Sequence, residues 1–432
     1  MSKLRVGIAG LGTVGRGVVR LFADDASRLN EKMQLVAVSA RTAARDRGVD
    51  LTPYRWFDDP VALASDPGID VFVELIGGSD GAAKAAVEAA LGRGAHVVTA
   101  NKALVALHGS ALAESAERNG AKLLFEAAVG GGVPMVKALK ESVAGSRAST
   151  VAGILNGTCN YILTEMENSG RSFEAVLSEA QGLGYAEADP TTDVGGFDAA
   201  HKLTILSAIA FGTRPDFAHV RVEGIERVTL TDIRLAGKLG YRIKLIAKGS
   251  QVDGAVEMHV RPACLSFDHP LANVGGSLNA LVVDAEPSGQ LTFIGRGAGE
   301  GPTAASVASD LIDLAEGRAG YAFGKPLTQL GAAPRATPAE RGRYYLRLLV
   351  KDRPGVVAAI SDRLAHEEIS IESFLQMPVS EKHTAVPIVL TTQTCARSRM
   401  EAAVKAIAAL DVTAEAPFLM PVEHAGQRWS SS

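Results

Sequence analysis

VGIAGLGTVGRGVVRLF, Val6–Phe22, joins a short apolar run to a helical pattern through three glycines, Gly10, Gly12 and Gly15. Their spacing is G-x-G-x-x-G, and it falls where a strand, Leu4–Ala9, ends and a helix begins. Each glycine has its own physical reason in such a turn. Gly10 permits a tight reversal, Gly12 lets the backbone approach a pyrophosphate, and Gly15 lets helix and strand pack closely. The helix N-terminus, at Thr13 and Val14, then offers unpaired N–H groups to phosphate. A tight turn without a ligand could use the same letters, but the strand before it and the helix after it favour a dinucleotide site.

Outward from this turn, strand-like runs recur at Leu35–Ala40, Asp70–Leu75, His96–Thr99 and Lys122–Glu126. Ala-rich helical stretches such as Gly81–Leu91 and Ser110–Asn119 lie between them. That alternation implies a parallel sheet covered by helices on both faces, a Rossmann-type α/β domain over residues 1–145. The second strand ends in VAVSARTAARDR, with Arg41 where an NAD site would carry an acid, and Arg45 and Arg47 beyond. A guanidinium attracts a 2′-phosphate that a carboxylate would repel, so NADP is favoured. A surface arginine would read the same way, and use of NAD stays open.

Residues 146–330 read as a mixed α+β domain. Helical segments are expected at Phe173–Gln181 and Phe197–Phe211, and strands at Arg242–Ala247, Val256–Val260 and Ala280–Ala285. A helix near Thr303–Glu316 is expected to return to the first domain. The stretch 331–343, GAAPRATPAERGR, has no apolar periodicity and reads as a linker. A small α+β unit over residues 344–420 follows, with strands at Tyr344–Val350, Ile371–Gln376 and Ala385–Thr392 and helices at Gly355–His366 and Met400–Leu410.

Composition narrows the function. The net charge is −4, aromatic residues make up 5% of the 432, and no Lys/Arg block occurs, so nucleic acid is not an expected partner. No apolar run is long enough to span a bilayer, and the N-terminus runs straight into a strand, so a cytoplasmic protein is expected. Cys159, Cys264 and Cys395 are far apart and odd in number, which favours reduced structural thiols over a disulfide or metal framework.

The richest chemistry lies in AQGLGYAEADPTTDVGGFDAAHK, Ala180–Lys202, where Glu187, Asp189, Asp193 and Asp198 precede Lys202. On a helix starting near Gly196, Asp198 and Lys202 share one face. An exposed i,i+4 ion pair is the plain reading. The density of acids in the preceding turn supports another: carboxylates for an amino acid's ammonium and a lysine able to exchange a proton near a carbonyl.

This stretch resembles the signature of homoserine dehydrogenases, A-x3-G-aromatic-small followed by DP-x2-D-aliphatic-x-G-x-D-x3-K, at every fixed position from Ala180 to Lys202. Further resemblance lies in GLGTVG at the nucleotide turn, VELIGG at Val73–Gly78, TANKAL at Thr99–Leu104, EAAVGGGVP at Glu126–Pro134 and GILNGT at Gly153–Thr158. The resemblance implies interconversion of L-homoserine and L-aspartate 4-semialdehyde, a step toward threonine, methionine and isoleucine. It implies Lys202 as acid/base, Lys102 as a second lysine beside nicotinamide and substrate, and Glu187, Asp193, Asp198 and Thr158 as substrate-binding residues. Thr99, Lys102, Gly184 and Gly299 would join Gly10, Gly12, Thr13, Val14, Gly15 and Arg41 around the cofactor. It also implies a monovalent cation, sodium, held at Glu126, Val129, Gly131 and Val133, mostly by backbone carbonyls. Cys159 departs from the Thr of many relatives, and a reactive thiol there is the minor alternative to a packed one.

The segment Tyr344–Gln376 resembles a ferredoxin-like ACT domain, the amino-acid-sensing module of regulated enzymes, with Asp352 and Gly355 in the turn that binds an effector. Threonine is the effector this layout implies, and a homodimer or homotetramer the assembly. A turn in a purely assembling module is the alternative. Two other functions fit the sequence less well. An aspartate-semialdehyde dehydrogenase needs a thiolate with an activating base, and no cysteine has that setting. A dead sensor should lack Lys102, Glu187, Asp198 or Lys202, and all four are present. With no kinase-like segment on either side, a monofunctional enzyme is expected.

Overall fold

The computed structural model describes residues 3–252, 254–332, 341–376 and 385–423. Six parallel strands form the first sheet: β1 (Leu4–Ala9), β2 (Met33–Ser39), β3 (Arg55–Phe57), β4 (Val71–Glu74), β5 (His96–Thr99) and β6 (Leu123–Leu124). Their order is β3-β2-β1-β4-β5-β6, so the chain reverses direction across the sheet between β1 and β4. All four residues of β4 are buried, as expected of a strand covered on both faces. β3 escapes sequence reading because it is three residues long and not fully buried.

Two expectations shift here. The helix begun at Ser110 in the sequence starts at Lys102, where the Asn101 side chain accepts the Leu104 N–H at 3.1 Å. The run Lys122–Glu126 keeps only Leu123–Leu124 as strand, because the chain turns at Phe125 into a short 3-10 turn, Glu126–Ala128.

The middle region holds β7 (Arg147–Ile154), β8 (Val220–Val222), β9 (Tyr241–Val252), β10 (Ala255–Ser266), β11 (Leu278–Glu286) and β12 (Gly289–Arg296). β9 and β10 form a hairpin twice as long as their apolar runs suggest, because polar residues are buried inside it. Lys244 is one of them: its Nζ donates to Asn160 Oδ1 at 2.9 Å and to the Val274 carbonyl at 2.8 Å, and burial pushes its pKa down to about 8. The helices Gly157–Ser169, Phe173–Gly182 and Phe197–Phe211 accompany this sheet, and the first of them was not foreseen. The helix Glu300–Ala315 packs back onto the first domain, with Ala304, Val307 and Leu311 in one apolar cluster with Val18 and Val19.

The C-terminal unit comprises β13 (Arg341–Lys351), β14 (Ile371–Gln376), β15 (Ala385–Thr392), β16 (Cys395–Ala396) and β17 (Phe418–Glu423), with helices Val356–His366 and Arg397–Ala408. The order β17-β13-β15-β14, all antiparallel, is the ferredoxin-like arrangement. β17, absent from the sequence reading, also pairs parallel to β10 through Cys264–Val422 and Leu265–Glu423, joining the two sheets into one. Of the stretch read as linker, residues 333–340 lie outside the described residues, and Arg341–Arg343 already belong to β13.

A buried carboxylate fastens this junction. Asp232 Oδ1 accepts the Tyr345 hydroxyl at 3.0 Å and Arg347 Nε at 2.8 Å, while its Oδ2 closes the capping box with Thr229 on the helix Leu230–Lys238. The Arg227 and Arg347 guanidinium groups lie 4.9 and 5.5 Å from the Phe418 ring centre.

Candidate active site

Two clefts lie along the carboxyl ends of the parallel strands, lined by residues that follow β1, β2 and β4 in one and β5 and β6 in the other. The first, about 790 Å³, is lined by Gly10, Gly12, Thr13, Ser39, Arg41 and Arg45, among others. Gly10 has φ +97°, and a Cβ there would lie 2.3 Å from the Leu75 carbonyl oxygen. A Cβ on Gly15 would lie 2.0 Å from the Gly10 carbonyl oxygen. Nothing lies within 4 Å of the corresponding position on Gly12, which faces the open cleft. Two glycines are therefore packed and one leaves a cradle, the division that close approach of a pyrophosphate needs. The residues present fit a dinucleotide.

The three arginines separate. Arg41 and Arg45 are exposed at the cleft, whereas Arg47 is buried, donates to the Thr42 and Arg45 carbonyls at 2.6 and 2.7 Å, and lies over Trp56. Arg47 shapes the loop that carries the other two. The Thr99 side chain, from the residue expected beside the cofactor, supports the turn from within. It is fully buried, donates its hydroxyl to Glu74 and accepts the Asn101 N–H at 3.0 Å. Glu74 in turn accepts the Ile76 and Gly77 N–H groups at 2.7 and 2.9 Å, which fixes the turn after β4.

The second cleft, also about 790 Å³, brings together Val14, Lys102, Thr158, Gly184, Glu187, Asp193, Asp198, Lys202 and Gly299. At its floor the helix Phe197–Phe211 starts after Gly196, as its sequence implied, and places Asp198 one turn before Lys202. This is no surface ion pair: Asp198 is 4% exposed and Lys202 8%. Asp198 Oδ1 receives Lys102 Nζ at 2.8 Å, and Oδ2 receives Lys202 Nζ at 2.7 Å. Lys202 also donates to the Leu155 carbonyl at 2.8 Å.

Burial opposes ionisation of Asp198, but Lys202 and Lys102 outweigh it and hold the carboxyl well below its usual range. The two lysines diverge. Pairing with Asp198 raises Lys102, which remains partly exposed. Burial lowers Lys202, Lys102 adds to that fall, and Asp198 only partly reverses it. Between the opposing pulls of Lys102 and Asp198 on Lys202, desolvation decides the direction. Asp193 is shifted up, first by burial and then by Asp198. Asp189, by contrast, is spent locally, its Oδ1 accepting the Thr191 N–H and hydroxyl.

Residues not foreseen also line this cleft: Asn156, Ser277, Asn279, Arg296 and Thr303. Asn156 sat inside the quoted GILNGT stretch, and its place as a helix cap was the available signal. Cys159 is buried, its thiol pushed well up by that burial, and Sγ donates to the Asp193 carbonyl at 3.2 Å. That setting disfavours a reactive thiolate. All three cysteines are buried and free.

Of the four expected cation ligands only Gly131 lines this cleft, beside its loop neighbours Ala127, Ala128 and Gly130. The Glu126 side chain points elsewhere: its oxygens accept the Val136 and Lys137 N–H groups at 3.1 and 2.7 Å, and burial together with Asp310 raises it to about 7. The carbonyls of Glu126, Gly131 and Val133 each accept one hydrogen bond. A carbonyl oxygen keeps a second lone pair, so the donor chemistry still fits a hard monovalent cation through carbonyls alone. In the C-terminal unit Gly355 caps the helix Val356–His366 with φ +88°, beside an exposed Asp352. Among the described residues no helix is long and apolar enough to cross a membrane.

A doubly wound parallel sheet with a dinucleotide turn, opening onto a buried lysine–carboxylate pair, defines a nicotinamide-dependent oxidoreductase, here extended by an ACT domain. Comparison with known proteins makes the class particular. Residues 134–312 match the family model for homoserine dehydrogenase, 10–126 that for the homoserine dehydrogenase NAD-binding domain, and 344–412 that for the ACT domain. The Pseudomonas aeruginosa homoserine dehydrogenase is 40% identical, over 95% of this chain and 96% of that protein. The crystal structure of a homoserine dehydrogenase from Thiobacillus denitrificans superposes with a TM-score of 0.91 at 39% identity, covering 98% of this chain and 99% of that one. A hyperthermophilic archaeal homoserine dehydrogenase in complex with NADPH gives a TM-score of 0.62 at 27% identity, covering 72% of this chain and 97% of that one. The chain belongs to the homoserine dehydrogenase family and is an NAD(P)-dependent oxidoreductase.

Proposed function

We propose that Lys202 is the acid/base for the interconversion of L-homoserine and L-aspartate 4-semialdehyde, and the observation that carries this is its buried amine, lowered in pKa at the cleft floor. When bound, the nicotinamide supplies hydride transfer at the substrate carbon. In oxidation, neutral Lys202 accepts the hydroxyl proton; in reduction, protonated Lys202 returns one to the aldehyde oxygen. Lys102, raised by Asp198, stays charged and keeps that carboxylate ionised beside Lys202. Glu187, Asp193 and Asp198 supply anionic groups for the substrate ammonium and hydroxyl, with Thr158 at the same wall. Gly184 and Gly299, both with positive φ, let backbone come close to the cofactor.

NADP is the favoured cofactor, supported by Arg41 and Arg45 at the ribose end of the cleft and by the NADPH in the archaeal relative. Arg41→Asp should lower kcat/KM for NADP and raise it for NAD, since the guanidinium faces a group NAD lacks. Unchanged NADP kinetics would place Arg41 away from the 2′-phosphate.

A monovalent cation, sodium, belongs to the same reading, held by the carbonyls of Glu126, Val129, Gly131 and Val133. Assembly as a homodimer or homotetramer, checked by sedimentation, and a cytoplasmic location, supported by three free cysteines, complete it. One assay tests the core: homoserine oxidation with NAD and with NADP, with sodium or choline as the cation, and with and without threonine. Absence of turnover with either cofactor would refute the function.

Threonine is the proposed feedback effector, bound at the Asp352–Gly355 turn. An effector inhibits only through different affinities for active and inactive states. The Cβ position on Gly355 is open, with nothing within 4 Å, so a side chain there projects into the space a ligand would use, and the positive φ adds strain. Gly355→Asp should leave homoserine oxidation active but insensitive to threonine. Titration calorimetry is the direct check: no binding at millimolar threonine leaves the domain an assembly element.

A further inference from the structure

We propose that Asn156 is a further positioning residue for the reaction: its side-chain amide bridges Asp193 and Asp198 and, through Asp198, fixes where the Lys202 amine meets the substrate oxygen. The proposal rests on the reading of Lys202 as acid/base.

Asn156 is 3% exposed and caps the helix Gly157–Ser169, its Oδ1 accepting the Cys159 N–H at 2.7 Å. That bond orients the amide, because only the oxygen can accept it. Nδ2 must then face the cleft, where its two N–H groups donate to Asp193 Oδ1 at 2.8 Å and to Asp198 Oδ2 at 2.9 Å. Two carboxylates this close in a partly desolvated site repel each other. A neutral double donor between them offsets the repulsion without adding charge that would disturb Lys202.

The adjacent residue completes the device. The Leu155 carbonyl accepts Lys202 Nζ and Asn279 Nδ2, each at 2.8 Å. Residues 155 and 156 thus hold the lysine twice, directly through a carbonyl and indirectly through Asp198. A protonated lysine has three N–H groups. Two are taken by Leu155 and Asp198, so the third direction is left for the substrate oxygen.

The charged and titratable groups around Lys202 are Asp198 and His201 on its own helix, Lys102 from the helix Lys102–Arg118, Asp193 from the turn Thr191–Val194, and Cys159 from the helix Gly157–Ser169. Asn156 lies among them with no charge of its own. Both aspartate and serine cap helices well, so Asn156→Asp and Asn156→Ser preserve the helix start while removing the bridge.

Measure kcat and KM for homoserine oxidation across pH in both variants, with thermal midpoints as a check on folding. Each variant should lose about tenfold or more in kcat with KM for cofactor unchanged. In Asn156→Asp, the limb where kcat rises with pH should also move to higher pH, because a third carboxylate favours protonated Lys202. In Asn156→Ser that upward movement should be absent. Wild-type kcat in both variants, or equal losses with the limb unmoved in both, overturns the proposal and leaves Asn156 a helix cap. Lys202→Ala, run alongside, separates the two readings. Normal turnover there faults the acid/base assignment, whereas an inactive Lys202→Ala beside indifferent Asn156 variants faults this proposal alone.

Discussion

Lys202→Ala should lower kcat for homoserine oxidation by on the order of 10²-fold or more while leaving cofactor affinity nearly unchanged, since general acid/base catalysis contributes about that much. The amine touches the substrate cleft but not the nucleotide cleft, so cofactor binding has little reason to change. The pH dependence has a definite sign. Oxidation needs neutral Lys202, so kcat should rise with pH through the lysine's pKa. Burial sets that pKa below the ordinary lysine value despite Asp198, and Lys102 adds to the fall. The rising limb should therefore end below the range of an ordinary lysine, and it should vanish in Lys202→Ala. Near-normal turnover in the variant would move the assignment to Lys102.

Asp232→Ala should destabilise the protein by about 3–5 kcal/mol, the usual cost of removing one partner from a buried ion pair. Asp232 is fully buried and accepts four hydrogen bonds, from Thr229 N and Oγ1, Tyr345 and Arg347. Its loss would leave the Arg347 guanidinium and Tyr345 hydroxyl without that acceptor and open the capping box of the helix Leu230–Lys238. Asp232→Asn keeps the shape and one acceptor, so it should cost less. Urea unfolding followed by Trp fluorescence and by activity provides the comparison. A loss under about 1 kcal/mol for Asp232→Ala would show that the join between β10 and β17, rather than the carboxylate, carries this junction.

The parallel domain, the dinucleotide turn and the helix that carries Asp198 and Lys202 were legible in the sequence. These depend on local regularities: a glycine spacing, an apolar period, and two charged residues one turn apart. Phe197–Phe211 was legible because its start follows a glycine and its pattern stays helical to Gly212. Individual roles were less legible where one residue type serves several ends. Arg41, Arg45 and Arg47 look alike as letters and all line the cleft, and only burial against Trp56 sets Arg47 apart from the two exposed ones. The resemblance puts Thr99 and Glu126 near ligands but says nothing of their side chains, which are held by Glu74 and Asn101 and by Val136 and Lys137.

The features that needed the folded chain involve partners distant in sequence. The bridge from Asn156 spans 42 residues to Asp198, and the Asp232–Arg347 pair spans 115. Local periodicity reports which face of an element is buried, but it cannot say against what. Polar residues inside β9 and β10 broke the apolar pattern there, although Lys244 is satisfied by groups far away in sequence. The joining of the two sheets through β17 is a backbone contact, and carbonyl and amide groups are the same in every residue. Desolvation likewise has no letter. The lysine and its carboxylate were readable, but the depth that separates Lys202 from Lys102 belongs to the folded chain alone.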